Sequence, residues 1–373
     1  MLQSTLAYNS NPINFIDYRV FDLYKEASYT FFQRFKAKTL LSQLSKKKRS
    51  KNSAGDACDR SNPIFPRPPW ETPSLQKEEL KDQFTDLLSK FTTYFGKYLP
   101  DDVMESLKTL SSKQQSEISK IIYDVMFDDM DLAKKRNVPI CQDTGVIQYF
   151  VKCGANFPLL GDLESCLREA TKRATKNAPL RHNAVEIFDE RNSGDNTGVR
   201  IPWIDWQIEP DSDSIEIYAY MAGGGCSLPG AAKVLMPLEG YEGVVKFVFD
   251  ILCDRGVNAC PPLLVGVGIA GSIDVASTLS KRALMRPVGS HNSNRVGAEF
   301  EKLLSDGLNE INIGPGGFTG TDSVMGVNVE QAARHPSCIA VAVSVGCWAH
   351  RRALIRIHPD MSYEFLSHKG VVL

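Results

Sequence analysis

The 373-residue chain has 43 lysines and arginines against 44 aspartates and glutamates, and this near-neutral balance gives no reason to expect nucleic acid or an anionic membrane as partner. Its hydrophobic content of 43% is enough for a large core, and no stretch approaches the apolar length of a membrane span. Nine cysteines without a secretory signal or a CxxC pair favour a reducing, cytoplasmic location, which argues against zinc ribbons and thioredoxin-like sites.

The first part of the chain differs in composition from the rest. A basic run at residues 46–51 is followed by a proline-rich stretch at residues 62–69, where proline prevents regular helices and strands. We expect residues 1–72 to form an extension and flexible linker. Residues 73–373 are then expected to form one catalytic domain.

Regular helical patterns begin after the linker. Apolar residues recur at helical spacing from Leu80 to Phe95, which predicts an amphipathic helix. Asp101 or Asp102 is expected to cap a second helix, and the apolar residues between 118 and 126 indicate a third. Further helical patterns cover residues 163–175, 273–285 and 298–309.

Extended segments are interleaved with the later helices. Their β-branched content and alternation are typical of strands. The predicted fold is therefore mixed α/β (α+β), with N-terminal helices followed by interleaved strands and helices. The predicted strands cover residues 147–152, 214–221, 263–269, 339–346 and 353–358.

The sequence Cys-Gln-Asp-Thr-Gly at residues 141–145 places a thiol next to a carboxylate in a turn that ends in glycine. Cys260 and Cys347 flank apolar, strand-like runs far downstream. Thiolates are the preferred ligands of iron–sulfur clusters, and a carboxylate beside a ligand can transfer protons. Three thiolates rather than four would leave one iron open, which suits Lewis-acid catalysis.

Glycine-rich segments allow other interpretations. The triplets at residues 223–225 and within 314–317 could offer backbone N–H groups to a carboxylate or phosphate, or could simply form tight connections. Residues 266–271 match GxGxxG, but the match begins inside a predicted strand, and no acidic residue ends a second strand about twenty residues later. A nicotinamide-dependent dehydrogenase and a non-catalytic metal-binding protein remain as alternatives.

Arg181 and His335 are candidates for contact with a carboxylate substrate. A guanidinium can bind a carboxylate through two parallel hydrogen bonds, and an imidazole can donate a proton. Taken singly, such residues more often lie on the surface or pack in the core. Among the remaining cysteines, Cys226 directly follows a glycine triplet and can approach the site without binding metal.

Taken together, these segments resemble the alpha-type subunit of the iron–sulfur-dependent hydro-lyases, the group that includes class I fumarases and tartrate dehydratases. The resemblance covers about residues 76–373 in unbroken order. It implies that Cys141, Cys260 and Cys347 hold a 4Fe–4S cluster with one open iron. It also implies two catalytic residues, Asp143 and His335, and three substrate-binding residues, Gln142, Arg181 and Gly224.

The resemblance further implies an activity and a partner. The expected reaction is loss of water from a hydroxy-dicarboxylate. Cys226 stands where class I fumarases usually have serine, which favours dehydration of L(+)-tartrate to oxaloacetate over hydration of fumarate. Single-chain fumarases continue into a second domain, whereas this chain ends at Leu373. A separate beta subunit is therefore expected to complete the site in a heterotetramer, with the cluster at the edge facing that subunit.

Overall fold

The computed structural model describes residues 75–373, so the extension and linker expected at residues 1–72 lie outside the described residues. Within the described range, eight α-helices and nine β-strands follow one another. The helices are α1 (Leu75–Lys97), α2 (Asp101–Lys113), α3 (Glu117–Arg136), α4 (Leu163–Asn177), α5 (Gly224–Ser227), α6 (Gly240–Arg255), α7 (Ile273–Met285) and α8 (Arg295–Asn309). The strands are β1 (Val146–Gly154), β2 (Trp203–Glu209), β3 (Ile215–Ala222), β4 (Ala231–Leu235), β5 (Leu263–Ala270), β6 (Val324–Gln331), β7 (Ile339–Gly346), β8 (Arg352–Ile357) and β9 (Tyr363–Phe365).

The strands form two sheets. Sheet one has the order β2-β1-β3-β8-β9, and sheet two has the order β4-β7-β5-β6. The pairs β1–β2 and β5–β6 are parallel, and the other neighbouring pairs are antiparallel. This mixture of helices and mixed sheets confirms the predicted α+β class.

The two sheets have separate cores on their outer faces. Phe84 and Leu88 of α1 and Leu167 of α4 pack on sheet one, whereas Val248 of α6 and Leu304 of α8 pack on sheet two. Helix α7 lies between the sheets. Its residues Leu284 and Met285 pack with Phe150 and Tyr220 of sheet one and with Leu264 of sheet two. Because α7 packs on both sheets, the loops at the ends of the two sheets lie close to one another.

The predicted elements are confirmed. Most ends differ by no more than three residues, but α1 begins five residues before Leu80, and α3 continues to Arg136, ten residues beyond the apolar pattern that indicated it. One detail was wrong: neither Asp101 nor Asp102 caps α2, because Pro100 occupies the capping position. Asp102 instead accepts a hydrogen bond of 2.6 Å from the Val288 amide and pairs with Arg352. The structure adds four strands, β2, β4, β6 and β9, and two helices, α5 and α6, that the sequence pattern did not predict. Among the described residues, no helix combines the length and the hydropathy needed to cross a bilayer.

The GxGxxG match has a packing explanation. Gly266 and Gly268 lie within β5, on the face that carries α7. A Cβ at Gly266 would lie 2.2 Å from the Ser280 carbonyl oxygen, and one at Gly268 would lie 1.9 Å from that of Ala276. These glycines let the helix approach the strand, and they do not form a phosphate-binding turn after it. The GxGxxG match therefore no longer supports a nicotinamide-dependent dehydrogenase.

We expect Gly268→Ala to lower the free energy of unfolding by about 1–3 kcal/mol, because the added methyl group must push α7 away from β5. Equilibrium unfolding in urea measures this loss. Gly271→Ala is the matched control, since its Cβ would lie 3.3 Å from the Arg334 Cα and outside the contact with α7. Equal losses in the two variants would contradict the packing explanation.

Candidate active site

The three cysteines singled out by the sequence lie on three connections that meet. Cys141 lies between α3 and β1, Cys260 lies three residues before the start of β5, and Cys347 begins the connection from β7 to β8. Because β5 and β7 are antiparallel, the start of β5 and the end of β7 lie at the same end of sheet two. The Trp348 amide donates a hydrogen bond of 3.1 Å to the Cys260 carbonyl, which joins these two connections directly.

A fourth thiol, that of Cys226 in α5, belongs to the same group, and we call Cys141, Cys226, Cys260 and Cys347 the thiol site. A hydrogen bond between Cys226 and Cys347 lowers the pKa of Cys226 to about 7 and raises that of Cys347 well above its ordinary value. Partial burial raises the pKa of Cys260, and the nearby Cys226, Cys141 and Asp143 add to that rise. Four thiols and a carboxylate therefore lie close together. Their mutual repulsion prevents all of them from being ionised at the same time unless a cation is bound nearby.

The Asp143 carboxylate is held by donors from three parts of the chain. Its Oδ1 accepts hydrogen bonds from the Gly145 amide at 2.9 Å and from Asn183 Nδ2 at 2.7 Å, and its Oδ2 accepts one from the Gly224 amide at 2.7 Å. The Asp143 amide points to Cys141 Sγ at 3.4 Å. The carboxylate is thus fixed next to a thiol, in the position that a proton-transfer group beside a metal requires.

Glycines permit this close approach. Gly145 has a φ of 69°, and a Cβ there would lie 1.9 Å from the Ala222 carbonyl oxygen. A Cβ at Gly223 would lie 2.9 Å from Asp143 Oδ2, and one at Gly225 would lie 2.7 Å from the Asn258 carbonyl oxygen. The glycine triplet therefore packs between the Asp143 turn and the connection that carries Cys260.

Cys260 adopts an unusual backbone conformation. Its φ is 53°, in the left-handed region that residues with a side chain rarely occupy. Such conformations cost about 1–3 kcal/mol, persist only where the surroundings enforce them, and are concentrated at functional sites. The side chain of Cys260 is exposed, whereas that of Cys226 is buried. The thiol site therefore opens to the surface on the Cys260 side.

Two cations lie beside the thiols. The Arg351 side chain is 1% exposed and donates hydrogen bonds to the Asp143 carbonyl at 2.5 Å and to Met221 Sδ at 3.8 Å. It makes no ion pair with an acidic side chain of the described residues. The Lys281 Nζ lies 5.8 Å from the centre of the Tyr220 ring, and burial lowers its pKa, against the opposing influence of Cys226. These two side chains therefore place positive charge close to the thiol site, where it favours the ionised form of the thiols.

The predicted substrate-binding residues lie around this group. Gln142 is exposed next to Asp143, and Arg181 is exposed on the segment that supplies Asn183. The Arg181 guanidinium makes no ion pair with any described residue and is available to a ligand. The Gly224 amide, by contrast, is already bonded to Asp143, so its contribution in this structure is to position that carboxylate.

The structure does not bring His335 into this group. His335 is exposed on the connection from β6 to β7, where its Nδ1 accepts a hydrogen bond of 3.1 Å from the Ser337 amide. Because it precedes β7 and Cys347 follows β7, the two residues lie at opposite ends of sheet two. Its catalytic role stays a prediction.

Sequence reasoning missed three residues that shape the site: Asn183, Lys281 and Arg351. Asn183 stands two positions after the candidate Arg181, which is the signal that could have found it. Arg351 stands four positions after Cys347, but the sequence does not show the burial that makes it unusual. Lys281 lies within an ordinary helical pattern, and only the fold places it near Cys226.

No group of three or more His, Cys, Asp or Glu side chains in residues 75–373 is arranged to hold a single metal ion. The thiol site differs from such a centre because its sulfurs come from four separate segments. Cys141 and Cys226 lie close enough to Cys260 and Cys347 to raise the pKa of both. In an iron–sulfur cluster each thiolate binds a different iron, so the ligands stand further apart than around one ion.

Comparisons with known proteins place the chain in a family. The fumarate hydratase (Fumerase) family model matches residues 85–356. The L(+)-tartrate dehydratase subunit alpha of Escherichia coli strain K12 is 56% identical over 292 residues, which is 78% of this chain and 96% of that protein. The L(+)-tartrate dehydratase subunit alpha of Shigella sonnei has the same identity over the same length. The resemblance seen in the sequence is confirmed: the chain belongs to the fumarate hydratase (Fumerase) family and is a hydro-lyase.

Proposed function

We propose that this chain is the alpha subunit of an iron–sulfur-dependent hydro-lyase that dehydrates L(+)-tartrate to oxaloacetate. The observation that carries the proposal is the meeting of Cys141, Cys260 and Cys347 around the fixed Asp143 carboxylate. The choice of tartrate is supported by two relatives named for that substrate, each 56% identical. Hydration of fumarate is the second candidate, because the matching family is described as fumarate hydratase.

The donor set and the charges suit a 4Fe–4S cluster. Cys141, Cys260 and Cys347 would hold it, since thiolates are the ligands that iron–sulfur clusters prefer. Two buried polar atoms nearby, Arg351 Nε and Thr144 Oγ1, have no hydrogen-bond partner among the described residues. Buried polar atoms are normally paired, and a bound group is one explanation for an unpaired atom. Cys226 would not bind the cluster and would remain hydrogen-bonded to Cys347.

The cluster, when bound, supplies an open iron that acts as a Lewis acid toward the departing hydroxyl group. The residues of the chain supply the rest. Asp143 would accept the proton from the carbon next to the one that loses hydroxyl, and its three hydrogen bonds keep it in position for that transfer. Arg181 and Gln142 would bind and orient the substrate carboxylates. This binding raises the effective concentration of the substrate at the catalytic groups. With tartrate, loss of water gives an enol that converts to oxaloacetate.

A second subunit would complete the site. The relatives are named as alpha subunits, which implies a separate beta subunit, and we propose a heterotetramer in a reducing, cytoplasmic environment. The exposed positions of Cys260, Gln142 and Arg181 are consistent with an active site that a partner covers. His335, at the far end of sheet two, has no place in the site of a single chain.

The proposed function is tested by an anaerobic substrate panel on the chain co-expressed with its beta subunit. We expect L(+)-tartrate to give the highest kcat/KM, with fumarate and malate well below it, and the chain alone to be nearly inactive. Oxaloacetate formation and fumarate consumption measure the two reactions. Faster turnover of fumarate than of tartrate would assign the enzyme to the second candidate.

Iron binding is tested by replacing one ligand. We expect Cys260→Ser to lose most iron and acid-labile sulfide after anaerobic purification, because the hydroxyl group is a much poorer ligand than the thiolate. The control is Cys153→Ser, which alters a buried thiol inside β1, away from the site. Iron analysis and the visible absorption of the cluster report the difference. Unchanged iron in Cys260→Ser would remove this residue from the ligand set.

Proton transfer is tested at Asp143. We expect Asp143→Asn to lower kcat by about 10²–10⁴-fold while the iron content stays unchanged, because the amide cannot accept the substrate proton. Asp131→Asn, on the exposed side of α3, is the matched control and should turn over normally. A normal kcat in Asp143→Asn would show that another group, from this chain or its partner, takes the proton.

A further inference from the structure

We propose that Arg351 is a positioning residue whose buried positive charge stabilises the cluster at the thiol site and sets its reduction potential. The inference rests on the proposed function, because it needs the cluster to be present. Three thiolates outweigh the positive charge of the cluster core, so the complete centre carries net negative charge. A cation fixed beside it would lower the free energy of that charge in a buried site.

The surroundings of Arg351 are unusual for a buried arginine. Its Nη2 donates to the Asp143 carbonyl at 2.5 Å and its Nη1 to Met221 Sδ at 3.8 Å, while Nε has no partner. The acceptors are thus one neutral carbonyl and one thioether. Buried guanidinium groups are normally paired with a carboxylate, since an unpaired buried charge is strongly destabilising. No acidic side chain of residues 75–373 forms an ion pair with Arg351.

The next residue provides a direct comparison. Arg352 is also buried, at 3% exposure, but it pairs with the Asp102 carboxylate. Within residues 75–373, one of two adjacent buried arginines therefore has an acidic partner and the other has none. Arg352 begins β8 in sheet one, whereas Arg351 belongs to the connection that carries Cys347.

The Arg351 guanidinium lies against two of the segments that carry the thiols. Arg351 and Cys347 belong to the same connection of five residues between β7 and β8. The hydrogen bond to the Asp143 carbonyl holds the guanidinium between this connection and the Asp143 turn, where the Asp143 amide lies 3.4 Å from Cys141 Sγ. The net negative charge of a cluster bound there would balance the charge of Arg351.

The test uses the complete enzyme with its beta subunit, prepared anaerobically, and compares Arg351→Met with wild type. We expect Arg351→Met to release iron to a chelator about 10–100-fold faster, as is usual when a residue supporting a metal ligand is removed. Its cluster should have a lower reduction potential, because a nearby positive charge favours the reduced state. After the iron is removed from both proteins, Arg351→Met should melt at the same or a higher temperature, since the variant no longer buries an unpaired charge.

Two further variants separate charge from structure. Arg351→Lys keeps the charge and should recover most of the wild-type potential. Arg352→Met should melt at a lower temperature than wild type without iron, because it leaves Asp102 unpaired, and its potential should not change. A wild-type potential and iron retention in Arg351→Met, or a lower melting temperature of that variant without iron, would overturn the inference. A wild-type enzyme without iron and sulfide would overturn the proposed function itself.

Discussion

The contact between the Gly145 turn and the end of β3 decides where the candidate active site can form. The hydrogen atom that stands in place of a Cβ at Gly145 lets the turn pass close to the Ala222 carbonyl. The same absence of a side chain at Gly223 and Gly225 lets α5 fit between Asp143 and Asn258. The Asp143 carboxylate can reach the Gly224 amide only because these backbones are so close. Larger side chains at these positions would separate the thiols from the carboxylate.

The hydrogen bonds to Asp143 give the site its rigidity. The donors belong to its own turn, to the Asn183 segment and to α5, so the carboxylate joins three segments that are far apart in sequence. A group that is already held in place needs little reorganisation when the reaction takes place, which is the main advantage of a preorganised site. The same bonds explain why Asn183, which carries no charge, belongs to the candidate active site.

The parts of the fold that the sequence predicted well have an unmistakable pattern. Strand β7 has a β-branched residue at every second position, and α7 has clear helical periodicity, so both were predicted with their observed ends. Helix α6 was missed because Gly240 and Gly243 disfavour a helix, and burial of its apolar side chains overrides that preference. Strand β2 was missed because it is an edge strand with exposed side chains on both faces, including Trp203 and Trp206, and lacks the alternation of a half-buried strand.

The candidate site was predictable where residues adjoin in sequence and not where the fold brings them together. Cys141 and Asp143 are two positions apart, so their combination was evident from the sequence. The closeness of Cys226 to Cys347 depends on the turn after β3 and on the end of β7, which no local pattern reveals. The separation of His335 from the thiols likewise depends on the direction of β7 through sheet two.

The short passage from β7 to β8 has a mechanical consequence. Residues 347–351 take the chain from sheet two to sheet one, and this segment carries both Cys347 and Arg351. Because this segment is short, it cannot lengthen to absorb a relative movement of the two sheets. A shift of one sheet relative to the other would therefore displace the Cys347 sulfur. A ligand bound firmly to that sulfur would in turn restrict the relative movement of the sheets.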